Sequence, residues 1–217
     1  MKTIRIRTIM FAVVSALALS AIAATAASAA ELEQLPGKGT FTVKSESGVF
    51  ETHSKENVSC KTDSGSGEIT GAKTDKSKVT FEGCTGPFGV KCTSSGAKGG
   101  NIETEVNSEL VWLSKASLKA GEKLTLAKEV TIACSFIKLI VKGSTLCPVE
   151  PVNTKTTAFK IICKQSGGKQ EFTEYENEKG EKIKAITETN KSGSFEESAL
   201  ASTETLTFGE LSEIMAT

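Results

Sequence analysis

The sequence predicts an all-β fold, an antiparallel β-sandwich or barrel stapled by disulfides and preceded by a helical signal peptide. Three observations predict it. Residues 102–112 alternate strictly between two faces. Six cysteines follow an apolar leader. Glycine clusters punctuate a chain rich in Ser, Thr, Val, Ile and Phe.

The leader comes first. Lys2, Arg5 and Arg7 precede an apolar stretch from Phe11 to Ala24, broken only by Ser15 and Ser20. Ala27-Ser28-Ala29 then offers the small residues a signal peptidase accepts. Residues 1–29 therefore read as a secretory signal peptide and residues 30–217 as a single all-β domain. The apolar stretch is shorter than the roughly 20 residues that span a bilayer. No membrane span is expected once the leader is cleaved, and the expected location is extracellular, with cell-wall association as one form of it.

The clearest strand is Asn101–Leu113. Ile102, Thr104, Val106, Ser108, Leu110 and Trp112 fall on one face, opposed by Glu103, Glu105 and Glu109. A loop follows, and Lys115–Ala120 is the one place after the leader where a short helix is credible. Next, Leu124, Leu126, Val130, Ile132, Cys134 and Phe136 share a face, after which the pattern slips by one residue. A bulge or tight turn near Ser135–Ile137 would absorb the slip. Further strands are expected at Thr40–Lys44, Val58–Thr62, Glu68–Ala72, Lys78–Cys84, Thr157–Lys164, Glu171–Tyr175, Lys182–Thr187 and Ser198–Phe208. Gly65-Ser66-Gly67, Gly99-Gly100 and Gly167-Gly168 read as turns between them.

Six cysteines in an exported chain imply disulfides, with 15 possible pairings. Local geometry favours Cys84 with Cys92, across the turn-rich Thr85–Lys91. It also favours Cys147 with Cys163, symmetric about a hairpin at Pro151–Thr156. Cys60 is then left to Cys134.

Composition narrows the chemistry. The 217 residues carry 26 basic and 26 acidic groups, and cleavage of a leader with three basic groups leaves 23 lysines against 26 acids, a net charge of −3. With no arginine left, nucleic-acid binding is not expected. Two aspartates (Asp63, Asp75) and one histidine (His53) leave little from which to build a metal site, and no cofactor or metal is expected. His53 lies in a polar stretch and no serine sits in a nucleophile elbow. Glu103, Glu105 and Glu109 have a spacing that a glycosidase carboxylate pair tolerates, yet they read as a solvated face offset by Lys123 and Lys128 on a neighbouring strand. Trp112 and Tyr175 are the only indole and phenol, the candidate platforms for a sugar. Trp112 shares a face with Leu110 and reads chiefly as core. Phe88, with Pro87, tops the Cys84–Cys92 loop and is the third candidate contact.

Gly65–Gly71, Val79-Thr80-Phe81-Glu82-Gly83-Cys84, Lys91-Cys92-Thr93-Ser94, the Cys134 strand, Gly143-Ser144, Pro148 and Pro151-Val152-Asn153 together resemble a paralogous group of exported β-rich actinobacterial proteins with no assigned activity. The resemblance spans roughly Gly65–Lys164. It implies a signal peptide, an all-β domain and a Cys84–Cys92 disulfide, with Cys147 and Cys163 as an addition to the usual pattern. It carries over no catalytic residue.

The functional expectation is a secreted, non-enzymatic domain that binds or coats at the cell exterior. Its partner would be an envelope polysaccharide, another exported protein, or a small ligand in a barrel. The alternatives are an extracellular hydrolase using two buried or cleft-facing glutamates, and an inhibitor presenting the Cys84–Cys92 loop.

Overall fold

A computed structural model describes residues 31–35, 37–135, 137–191 and 193–217. The expected signal peptide and Phe136 lie outside these residues. All regular structure among them is β, apart from one 3-10 turn at Pro87–Gly89. The strands are β1 (Leu32–Leu35), β2 (Gly39–Ser45), β3 (Gly48–Thr52), β4 (Asn57–Cys60), β5 (Thr62–Gly71), β6 (Thr74–Glu82), β7 (Cys92–Ser94), β8 (Ile102–Ser114) and β9 (Lys119–Leu126). They continue as β10 (Val130–Cys134), β11 (Ile137–Glu150), β12 (Thr156–Cys163), β13 (Gln165–Ser166), β14 (Lys169–Gln170), β15 (Glu174–Glu176), β16 (Lys182–Lys184), β17 (Thr187–Asn190) and β18 (Phe195–Ala216).

Following the pairings shows that the sheet closes on itself. β8 pairs β9, β9 pairs β11, β11 pairs β12, β12 pairs β18, β18 pairs β2, β2 pairs β5, β5 pairs β6, and β6 returns to β8. All these pairings are antiparallel, so this is an eight-place barrel. It is longer than most of its strands. The two long strands, β11 and β18, run its length, and other places hold shorter strands in line. β10 continues β9, β17 continues β12, β3 continues β2, β4 continues β5 and β7 continues β8. Closure satisfies the backbone groups that an open edge would leave exposed.

An eight-stranded barrel has an interior just wide enough to be filled by side chains or to hold one small ligand. Here it is filled at two levels. One level packs Phe41, Phe159 and Phe208 with Trp112, Leu206 and Ile161. Phe159 meets Phe208 edge-on with ring centroids 5.7 Å apart, a favourable quadrupole arrangement. The other level packs Val58, Ile102, Val130, Ile132, Leu139 and Val141 with four of the cysteines.

The disulfides correct part of the expected pairing. Cys147 and Cys163 are joined, and the register Val149↔Ile161 puts them directly opposite across β11 and β12. The other bonds are Cys60–Cys84 and Cys92–Cys134, not Cys84–Cys92 and Cys60–Cys134. The reason is a row of four. Ser59 pairs Thr85, Thr85 pairs Lys91, and Cys92 pairs Cys134. Cys60, Cys84, Cys92 and Cys134 therefore stand on four successive neighbours of the wall. The turn-rich loop does bring Cys84 beside Cys92, with the Cys92 amide donating to the Cys84 carbonyl at 2.9 Å. Each sulfur nevertheless bonds to the neighbour on its other side. A Cys60–Cys134 bond would cross three strand spacings of nearly 5 Å each, beyond disulfide reach. The observed Cα separations of 4.0 and 4.2 Å are close to that of a non-hydrogen-bonded antiparallel pair.

Gly65-Ser66-Gly67 is a second correction. It lies inside β5, not in a turn. A Cβ at Gly67 would overlap the Phe41 ring, and one at Gly65 would overlap the Lys78 carbonyl. Gly67 makes room for a core aromatic from β2, and Gly65 for the close approach of the β6 backbone. Lys115–Ala120 is not helical either. It holds the β8–β9 turn, with Leu118 at φ 49°, and β9 begins at Lys119. The register slip near Ser135 is absorbed by a tight turn, with Ser135 at φ 54° and Cys134 facing Ile137.

Candidate functional site in the barrel lumen

Between the two packed levels the interior is not filled. A cavity of about 130 Å³ remains. Its walls are apolar and come from around the barrel, among them Phe50, Phe81, Leu124, Leu126, Ile132 and Val141. Among the described residues Glu204 is the one ionisable group in the lining.

Glu204 belongs to a larger acidic set. The register places Glu204 opposite Ser45 across β18 and β2, and Ser45 opposite Asp63 across β2 and β5. Directly opposed residues point to the same face, so Asp63 and Glu204 both face inward. Asp75 lies two positions before the lining residue Ser77, and Glu122 two before Leu124, on the same inward files. All four carboxyls are buried: Asp63 3%, Asp75 6%, Glu122 4% and Glu204 7% exposed. They are spread along the lumen: Asp63 is opposite Phe81 and Asp75 opposite Ile69, six residues apart on paired strands or about 20 Å, with Glu204 near Asp63 and Glu122 near both Asp75 and Glu204.

Their electrostatics follow from that burial. Loss of water raises the Glu204 carboxyl to about 7, and the nearby Asp63 charge adds to the effect against a hydrogen bond from Ser202. Burial raises Asp75 to about 6 despite a hydrogen bond from Ser108. Glu122 is raised by burial first, then by Asp75 and Glu204. Asp63 is raised by burial and accepts from the Ser45 hydroxyl, while its Oδ1 has no hydrogen-bond partner. No ion pair among the described residues involves any of the four. Among the described residues, no group of three or more His, Cys, Asp or Glu side chains is arranged to hold a metal ion.

The wall has a weak point. β8 meets β9 as far as Val106↔Leu126, and β7 meets β10 from Ser94↔Ile132. Between these ladders Glu103-Thr104 and Glu129 form no strand pairing on that side. A depression there is lined by Glu103, Glu105, Lys128 and Glu129, and it shares Val79, Thr104 and Val130 with the lumen. Glu105 spans its rim, 3.3 Å from Lys78 and 3.8 Å from Lys128.

The residues singled out by sequence are scattered. Trp112 is 5% exposed in the main core, so it is no sugar platform. It occupies an inward position of β8, where a bulky apolar ring is worth most. Tyr175 is half-buried on β15, its ring 5.0 Å from the Lys123 ammonium. Phe88 is 95% exposed at φ 61°, on the loop between Cys84 and Cys92. Because those cysteines bond to other strands, the loop is braced by two disulfides instead of being closed by one. Glu103, Glu105 and Glu109 face outward, with Glu105 paired to Lys78 and Lys128 and Glu109 to Lys123. His53 is exposed in a turn. Sequence reasoning missed the four lumen carboxyls. The signal was present at Glu122 and Glu204, each in step with apolar residues at i+2 and i+4: Leu124 and Leu126, Leu206 and Phe208.

Fold and site define an extended, disulfide-stapled β-barrel with a small apolar lumen faced by the Glu204 carboxyl. No protein-family model, curated protein or solved structure matches the chain. Three disulfides point to an oxidising environment, and no helix among the described residues is long and apolar enough to cross a membrane.

Proposed function

We propose that this is an exported binding protein that holds a small, largely apolar molecule in the barrel lumen. The supporting observation is the cavity itself: about 130 Å³, walled by apolar side chains from around the barrel. A dry engineered cavity of about 150 Å³ takes up benzene, so this volume suits a ligand of six to eight heavy atoms, roughly. The gap between β8 and β10 is the route of entry. A polysaccharide is far too large for this space. Glu122 and Glu204 have the burial and raised pKa expected of hydrolytic carboxyls, but a polymer substrate would not reach them. The test is calorimetric titration with toluene. Saturable binding is expected in the native protein, weakened in Val141→Phe and in Gly48→Val, which put side chains into the lumen. Absence of heat in the native protein, confirmed by an unshifted Tm, would reject the reading.

A second reading rests on Phe88. A fully exposed aromatic held at positive φ on a doubly braced loop suits preorganised docking to another exported protein. Phe88→Ala should then abolish capture of that partner while leaving toluene binding intact; unchanged capture would remove the reading.

A further inference from the structure

We propose that the lumen selects a small organic cation, a primary amine with a compact apolar body, whose ammonium group rests on Glu204 with Asp63 and Glu122 beside it. This deepens the lumen-binding reading and rests on it. Three observations carry it.

The first is an imbalance of charge. Glu204 on the cavity wall feels Asp63 from β5 and Glu122 from β9, and among the described residues none of the three has a lysine in ion-pair contact. Buried charges in proteins are ordinarily paired. Among the described residues no cation of the chain itself pairs with Glu204, Asp63 or Glu122.

The second is an unfilled hydrogen-bonding site. Asp63 Oδ1 is buried and has no donor, and Asp63 shares the inward face with Glu204 through Ser45. An ammonium offers three donors on one small atom, which suits the neighbouring acceptors of Glu204 and Asp63.

The third is the division of the chamber. Among the described residues, the apolar walls at Phe81, Leu124, Leu126, Ile132 and Val141 enclose a single carboxyl, Glu204. A ligand with one charged end and one apolar end matches both. A neutral hydrocarbon satisfies only the walls, and a carboxylic acid would meet like charge at Glu204.

The groups that act on Glu204 from the strands packed round it are Asp63 and Glu122, both acidic, with the hydroxyl of Ser202; Asp75 lies beyond Glu122. Amine binding therefore strengthens as these groups ionise. Burial sets Glu204 at about 7, whereas an alkylammonium, like that of lysine, keeps its charge to about pH 9.

The experiment is titration of the disulfide-intact protein with benzylamine and with toluene at pH 5.5 and pH 8.0. Benzylamine should bind about thirtyfold more tightly at pH 8.0, the change in ionised fraction of a group titrating near 7. Toluene should show no such gain. Glu204→Gln, with its fold checked by circular dichroism, should lose the pH dependence of benzylamine binding. Equal affinity for the two ligands at pH 8.0, or benzylamine binding that weakens as pH rises, would overturn the amine inference while leaving the lumen reading standing. Failure of both ligands to bind at either pH would remove the lumen reading as well.

Discussion

Replacing Glu204 with glutamine changes one atom type in the lumen and should change how stability depends on pH. A glutamate ordinarily titrates near 4.5, and Glu204 in the fold titrates at about 7. Between those values the folded protein holds a proton that the unfolded chain has released. Its stabilising effect is complete below about pH 4.5 and is lost as pH rises through 7. At 1.36 kcal/mol per pH unit the difference amounts to about 3 kcal/mol. Glu122 and Asp75 are also raised and act in the same direction, so the native protein should weaken markedly between pH 4.5 and pH 8. Glu204→Gln keeps the shape and cannot ionise. It should match the native protein at pH 4.5 and exceed it at pH 8 by up to about 3 kcal/mol. The assay is guanidinium unfolding with disulfides intact, followed by fluorescence of Trp112, the single tryptophan and a core residue. A native midpoint that is flat or rising from pH 4.5 to pH 8 would refute the reasoning, as would a variant with the native slope.

Other consequences are independent of the lumen. Proteolysis without reductant should yield peptides linked Cys60–Cys84, Cys92–Cys134 and Cys147–Cys163, and a Cys84–Cys92 peptide would break the four-strand row. Replacing both Cys92 and Cys134 with serine should cost about 4 kcal/mol under the chain-entropy model, measured by denaturant titration. Phe159→Ala, at a site 1% exposed, should cost about 3–5 kcal/mol, against less than about 0.5 kcal/mol for the exposed Phe88→Ala. Gly143→Ala should lower Tm clearly, because Gly143 sits at φ 98° and its new Cβ would overlap the Ile186 carbonyl.

Much of the fold is legible in the sequence because a strand with one buried face writes its period into the chain. β8 is the clearest case: Ile102, Leu110 and Trp112 are buried as their alternation requires, and Glu103 is exposed. The Cys147–Cys163 pairing is legible because a hairpin fixes its own register. The remaining disulfides are not, because Cys60, Cys84, Cys92 and Cys134 become neighbours only through pairings set elsewhere in the sheet. The Gly65–Gly67 segment misleads for a related reason. Gly67 answers to Phe41 and Gly65 to the Lys78 backbone, both on neighbouring strands, and local sequence shows the glycines without the partners they admit. Closure into a barrel is likewise invisible strand by strand. It depends on β9 meeting β11 and β18 meeting β2, contacts between distant segments. The lumen acids were overlooked because an acidic residue in a strand normally marks the solvent side. Glu109, paired with Lys123, obeys that rule, and Glu122, one residue away from Lys123, breaks it.

The central claim, a ligand site inside the barrel, is tested most directly by methyl-labelled NMR titration with toluene. The account predicts saturable shifts at the methyls of Leu124, Leu126, Ile132 and Val141, with the methyls of Leu211 and Leu118 on the outer surface unmoved. Shifts confined to the surface methyls, or none at saturating toluene, would contradict it.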